Sequence, residues 1–180
     1  MIYLKKFILL LLISTVICEA LYIGKVNANS HLQPQTIEES YLEIGYKSVG
    51  EALRDYKQHY KEELQLPLRV PPIVYTHVFA RTIEGDKGDL FEMEFINEKS
   101  NKNNFLINVA PKDSFEILDK EIVSELKLKG GNTAYLLDIG KAILLIFEKD
   151  DLQYRFGINK RISEKITPEI LVQVANSIDY

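Results

Sequence analysis

The chain has 180 residues, 22 basic against 26 acidic, a formal net charge of −4 and a single cysteine. An acidic chain without a basic stripe excludes a groove binder of nucleic acid and a polybasic binder of anionic lipid. One cysteine excludes a disulfide framework, so stability has to come from a packed core, which a chain of this length can bury as one domain.

The N-terminus reads as a delivery signal. Lys5 and Lys6 precede an apolar run over residues 7–17, the pattern of a signal peptide whose charged end stays in the cytoplasm. Small residues at Val26-Asn27-Ala28 place cleavage after Ala28, with Ala20 as an earlier alternative. Left uncleaved, residues 7–24 would serve as a membrane anchor, barely long enough for a hydrocarbon core of about 30 Å, with Glu19 close to one end. Cys18 follows Ile17, so the small residue required before a lipid-modified cysteine is absent. With or without cleavage the remainder faces outward, secreted or membrane-anchored, and extracytoplasmic at a bacterial envelope. Losing Lys5, Lys6, Lys25 and Glu19 with residues 1–28 makes that remainder more acidic still.

Residues 29–47 are polar and mixed and read as a tether, in which Thr36 and Glu39 can cap a short helix ending near Gly45. A single α+β domain is expected over residues 48–180. Ser48 and Glu51 have capping-box spacing, and Val49, Leu53, Tyr56, Tyr60 and Leu64 recur at helical spacing, predicting a helix over 49–63. Pro67, Pro71 and Pro72 then force an extended crossing. Beyond them the period becomes two. Phe91, Met93 and Phe95 alternate with Glu92 and Glu94, and Leu152, Tyr154, Phe156 and Ile158 alternate with Gln153, Arg155 and Gly157, two half-buried strands. Weaker strands are read at 73–81, 105–110, 122–129, 133–138 and 142–148, separated by Gly- and Asp-rich turns and by an Asn/Lys loop at 97–104. Short connections make the neighbours antiparallel. Thr167, Pro168 and Glu169 open a last helix with Ile170, Leu171, Val174, Ala175 and Ile178 on its apolar face. The expected fold is α+β: a curved, meandering antiparallel sheet with an N-terminal and a C-terminal helix packed on it.

Candidate chemistry is sparse. Glu92 and Glu94 share one face of a strand, with Cα atoms about 6.6 Å apart, a separation found in glycosidase pairs; alternating acids on a strand ordinarily face water. His31, His59 and His77 have no His or Cys partner at ligand spacing, and His77 is expected to play a hydrogen-bonded structural role. Glu38-Glu39, Glu62-Glu63 and Asp150-Asp151 lack calcium-loop spacing. No nucleophile elbow, P-loop or dinucleotide motif occurs. No catalytic, cofactor-binding or metal residue is therefore assigned, and no enzyme activity or cofactor is expected. Tyr154, Phe156 and Tyr135 on adjacent strands belong to the core or to a shallow aromatic surface left uncovered by the helices, with Arg155, Lys160 and Arg161 as polar contacts at its edge.

Three stretches carry a resemblance: residues 48–69 leading into Val70-Pro71-Pro72; Tyr75-Thr-His-Val-Phe-Ala-Arg81; and Phe147-Glu-Lys-Asp150 through Asn159-Lys-Arg-Ile-Ser163 to Val174-Ala-Asn-Ser-Ile178. Together they resemble a family of extracytoplasmic domains of unknown function from Bacillus-type bacteria, also found behind the membrane helix of anti-sigma-factor-like proteins. The resemblance spans residues 48–180. It implies a curved antiparallel sheet similar in outline to lipoprotein carriers and a closing Ala-x-Ser-Ile, matched by Ala175-Asn-Ser-Ile178. It brings no site residues. The expectation is a non-enzymatic interaction or sensing module at the cell envelope, its partner an envelope protein. The alternative is a binder or carrier of a lipid or other apolar ligand on the concave sheet face.

Overall fold

Two helices begin by the same device. Thr36 Oγ1 accepts from the Glu39 N–H at 3.2 Å while Glu39 Oε2 accepts from the Thr36 N–H at 2.9 Å; Ser48 and Glu51 repeat the exchange at 3.4 and 3.2 Å. Each box satisfies orphan donors of a first turn, and helices α1 (Ile37–Glu43) and α2 (Val49–Tyr60) follow. Helix α2 stops at Tyr60, short of residue 63, because Lys61 takes the left-handed conformation, φ 62°. In this computed structural model, residues 35–85, 88–100 and 102–178 are described. Residues 7–24, Cys18 and both cleavage positions, Ala20 and Ala28, lie outside them. No helix among the described residues is long and apolar enough to cross a membrane.

Seven strands form one antiparallel sheet: β1 (His77–Ile83), β2 (Leu90–Ile96), β3 (Phe105–Pro111), β4 (Ile122–Lys127), β5 (Thr133–Asp138), β6 (Ala142–Lys149) and β7 (Leu152–Asn159). Strand β1 starts four residues later than its apolar pattern predicts. The Ile73 N–H turns back onto the Pro71 carbonyl at 2.8 Å, so the chain after the prolines is still crossing when residue 73 is reached. The spatial order is β1-β2-β3-β7-β6-β5-β4. The chain therefore meanders through three strands, jumps to the far edge, and meanders back until β7 closes on β3. Residues 112–121 make the jump, and Phe115 in that link donates its N–H to Gln153 Oε1 at 2.6 Å. Helix α3 (Pro168–Ala175) comes last, with proline in its first turn. The architecture is α+β, as the periodicities predict.

The two sheet faces are unlike. On one, Phe91, Met93, Phe95, Phe105, Ile107, Leu145, Phe147, Tyr154 and Phe156 pack with Ala52 of α2 and with Leu171, Val174 and Ala175 of α3. Most of these are essentially inaccessible, and burial of each large apolar side chain contributes about 1.5–3 kcal/mol. On the other, a small cluster of Tyr46, Phe79 and Ile96 receives Ile37 and Tyr41 from α1. Residues 36–47 are thus part of the folded body and not a tether, and the compact unit begins at Thr36. Their composition is polar because one side of α1 faces water, but two tyrosines anchor the segment. Lys47 also pairs with Ala80 in both directions, at 2.8 and 3.0 Å.

Candidate functional site along the edge of strand β1

A row of polar side chains crosses the face opposite the core. The registers Arg81↔Glu92, Glu92↔Asn108 and Asn108↔Arg155 put one residue from each of four neighbouring strands side by side. Arg81 donates through Nε and Nη2 to Glu92 Oε1 at 3.1 and 2.9 Å and through Nη1 to the Ile44 carbonyl at 2.8 Å. Asn108 Nδ2 donates to Glu92 Oε2 at 3.0 Å, and its Oδ1 accepts from Arg155 Nε and Nη2 at 3.1 and 2.9 Å. The Tyr46 hydroxyl donates to Glu92 at 2.6 Å and the Tyr41 hydroxyl to Glu94 at 3.1 Å. Arg81 lies 4.2 Å from the Tyr46 ring centroid and Arg155 4.3 Å from that of Phe115, cation–π distances.

The two glutamates respond oppositely to this setting. Burial pushes Glu92 up, but hydrogen bonds from Tyr46, Asn108 and Arg81 outweigh it and hold the carboxyl below the usual range. Burial also pushes Glu94 up, the Tyr41 bond offsets only part of that, and the Glu92 charge adds to it, so Glu94 stays raised. Burial and Glu94 push the Tyr41 phenol up to about 12. The expectation that both acids simply face water is corrected: they converge, half-buried, beneath α1. Glu92 spends its acceptors on structural donors, so the pair is not arranged around an open cleft as a glycosidase requires.

Beside this row, the free edge of β1 borders a groove of about 250 Å³. Helix α2 contributes Ala52, Asp55, Tyr56, His59 and Tyr60 to its lining, and Gly45, Lys47, Arg81, Thr82, Glu84 and Asp89 supply the rest. The pairing of Lys47 with Ala80 fixes which way the backbone points. Groups two residues apart on a strand face the same side, so the N–H and C=O of Thr82 also point away from the sheet, into the groove. Thr82 makes no hydrogen bond among the described residues. The cations of the groove are already engaged: Lys47 holds Asp55 at 2.6 Å and Arg81 holds Glu92 at 2.9 Å. Burial and a hydrogen bond to Asp89 push the Tyr60 phenol up to about 12.

The other residues singled out by sequence fall apart in space. Tyr154 is not on a partner surface: it is 1% exposed, stacks on Phe147 and donates to the Gln65 carbonyl at 3.1 Å. Tyr135 pairs with Ile146 and Glu125 on the opposite face, so the three aromatics make no common surface. Arg155 is not at an edge, because β7 lies mid-sheet; burial pulls its basicity down. Lys160 and Arg161 are exposed beside Gly140, Lys141 and Asn159, with Lys160 paired to Asp138. His77 is hydrogen-bonded to Glu38 at 2.9 Å and to Thr76 at 2.8 Å, the structural role its strand suggested. The apolar face that an apolar ligand would need is filled by α2, α3 and the core aromatics. Among the described residues no three His, Cys, Asp or Glu side chains gather as a metal site. Sequence reasoning missed Tyr41, Tyr46, Arg81, Asn108, Thr82 and Asp89. The one local signal was Asn108, an amide inside the apolar run Phe105-Leu-Ile-Asn-Val-Ala110.

Comparisons with protein-family models, with curated proteins and with solved structures gave no match.

Proposed function

We propose that this chain is a non-catalytic interaction or sensing module on the outer side of a bacterial cytoplasmic membrane, and that it meets its partner along the free edge of β1. The charged, apolar leader supports the location, and the family resemblance of residues 48–180 agrees with it. The observation that carries the binding role is the groove itself. It offers an unpaired strand edge at Thr82 beside a tyrosine-lined wall, and strand addition to such an edge is a recurrent mode of recognition. The carboxylates nearest to a catalytic arrangement, Glu92 and Glu94, sit under Tyr46 and Tyr41, which argues for scaffolding of that edge over turnover.

The test is site-specific photo-crosslinking in cells producing the full-length chain. A crosslinker at Thr82 should capture one defined envelope protein, and a crosslinker at Ile139, exposed in the β5–β6 turn, should not. Capture from both positions, or from neither while the protein is correctly exported, refutes the reading. Labelling by a membrane-impermeant reagent tests the location.

A further inference from the structure

We infer that the occupant of the β1 edge is an extended peptide segment carrying a lysine or arginine opposite Thr82. This rests on the reading of the groove as a partner site and names the chemistry of the partner. Lys47 already pairs with this edge as one antiparallel bridge, exchanging both backbone bonds with Ala80. The next backbone position that faces outward is Thr82, two residues or about 6.6 Å further on. An incoming strand that bonds there continues a line the fold has begun.

Side-chain direction then fixes the specificity. Residues directly opposite across an antiparallel pair point to the same face. Thr82 pairs with Phe91, which belongs to the core face, so the incoming residue opposite Thr82 points toward α2. There it meets Tyr56 and Tyr60, whose rings lie 4.6 Å apart, and the Asp89 carboxylate. The Asp89 side chain is 20% exposed, and His59 Nε2 lies 4.0 Å away; among the described residues no lysine or arginine pairs with it. Glu84 adds a further carboxylate to the lining. A lysine or arginine stem can lie along the tyrosine rings while its head meets Asp89. A carboxylate there would be repelled, and a neutral side chain would leave Asp89 with the Tyr60 hydroxyl and His59 but no lysine or arginine partner. The residues flanking it on the incoming strand point to the other face, where Arg81 already lies against Tyr46 and the Ile44 carbonyl, so a cation is favoured only on the α2 side.

The experiment uses isotope-labelled full-length chain in nonionic detergent and three synthetic peptides of threonine alternating with lysine, glutamine or glutamate. The lysine peptide should shift the Thr82, Glu84 and Asp89 amide resonances, slow exchange of the Thr82 N–H, and bind about tenfold more tightly than the glutamine peptide, the effect of one charge-assisted hydrogen bond. The glutamate peptide should be weakest. Asp89→Asn keeps an acceptor for Tyr60 and should erase the lysine preference while leaving strand addition intact. Thr82→Pro removes an N–H that bonds nothing in the fold, a change edge strands accommodate, and should abolish binding of all three peptides; the spectrum of each variant reports its folding. Equal binding of the three peptides at Thr82, or a lysine preference unchanged in Asp89→Asn, overturns the cationic partner and leaves the edge reading standing. Shifts confined to other surfaces, or none, together with a silent Thr82 crosslinker, overturn both.

Discussion

Replacing Glu92 or Glu94 with glutamine should move stability in different directions, although the two residues share a strand and a face. Glu92 accepts from Arg81, Tyr46 and Asn108. In Glu92→Gln the amide brings a donor, and that donor must face either Arg81 or Asn108 Nδ2, because Asn108 cannot turn its oxygen without releasing Arg155. Breaking a fully buried pair costs about 3–5 kcal/mol and an exposed one about 0–1 kcal/mol. The Glu92 and Arg81 side chains are 13% and 27% exposed, and glutamine keeps one acceptor, so a loss of about 2–3 kcal/mol is expected. In urea, with a slope near 2 kcal/mol/M, the midpoint should fall by about 1–1.5 M. Glu94→Gln retains an acceptor for Tyr41 and removes a raised carboxylate beside Glu92. Its stability at neutral pH should be unchanged or slightly higher. The pH dependence separates the two further. The folded pKa of Glu92 is depressed, so its contribution is present above the ordinary carboxylate pKa and fades as pH falls through the depressed value; the Glu92→Gln penalty should shrink in acid. The folded pKa of Glu94 is raised, so its contribution is present below the ordinary value and is lost as pH rises through the raised one; Glu94→Gln should flatten the curve there. Equal losses for the two variants, or a Glu92→Gln loss below about 0.5 kcal/mol, the range of ordinary surface substitutions, would refute the reasoning.

Ser48→Ala removes the acceptor of the α2 capping box and should cost about 1 kcal/mol, lowering the thermal midpoint by roughly 3 °C in a calorimetric scan. The Tyr75 hydroxyl is buried without a partner among the described residues, and burial pushes its phenol up; Tyr75→Phe should leave the urea midpoint unchanged or raise it, since an unpaired buried donor is removed. Gly88 has φ +107°, and a Cβ there would lie 2.6 Å from Pro111 Cγ. Gly88→Ala should cost about 1–3 kcal/mol, seen as a lower midpoint with the denaturant slope unchanged.

The elements of this protein are legible from local chemistry. The capping boxes at Thr36 and Ser48, the period-two alternation of β2 and β7, and Pro168 at the start of α3 each act within a few residues, and each appears in the structure. What the sequence could not decide is how the strands are ordered and what covers the second face. The placement of β7 beside β3 satisfies the burial of Phe105 and Phe156, partners about fifty residues apart that no local rule connects. Alternation told only that Glu92, Glu94 and Arg155 point away from the core, and water was the default occupant of that side. Tyr41 and Tyr46 took its place at Glu92 and Glu94 because a polar-looking segment carried two aromatic rings with hydroxyls at the right reach. The groove has the same origin. Thr82 is an unremarkable strand residue by composition; its outward N–H stands unpaired because the sheet ends at β1 and because Lys47 occupies only the adjacent position. Local sequence fixes backbone shape through short-range sterics and hydrogen bonding, whereas edges, partners and unpaired groups are properties of the assembled sheet.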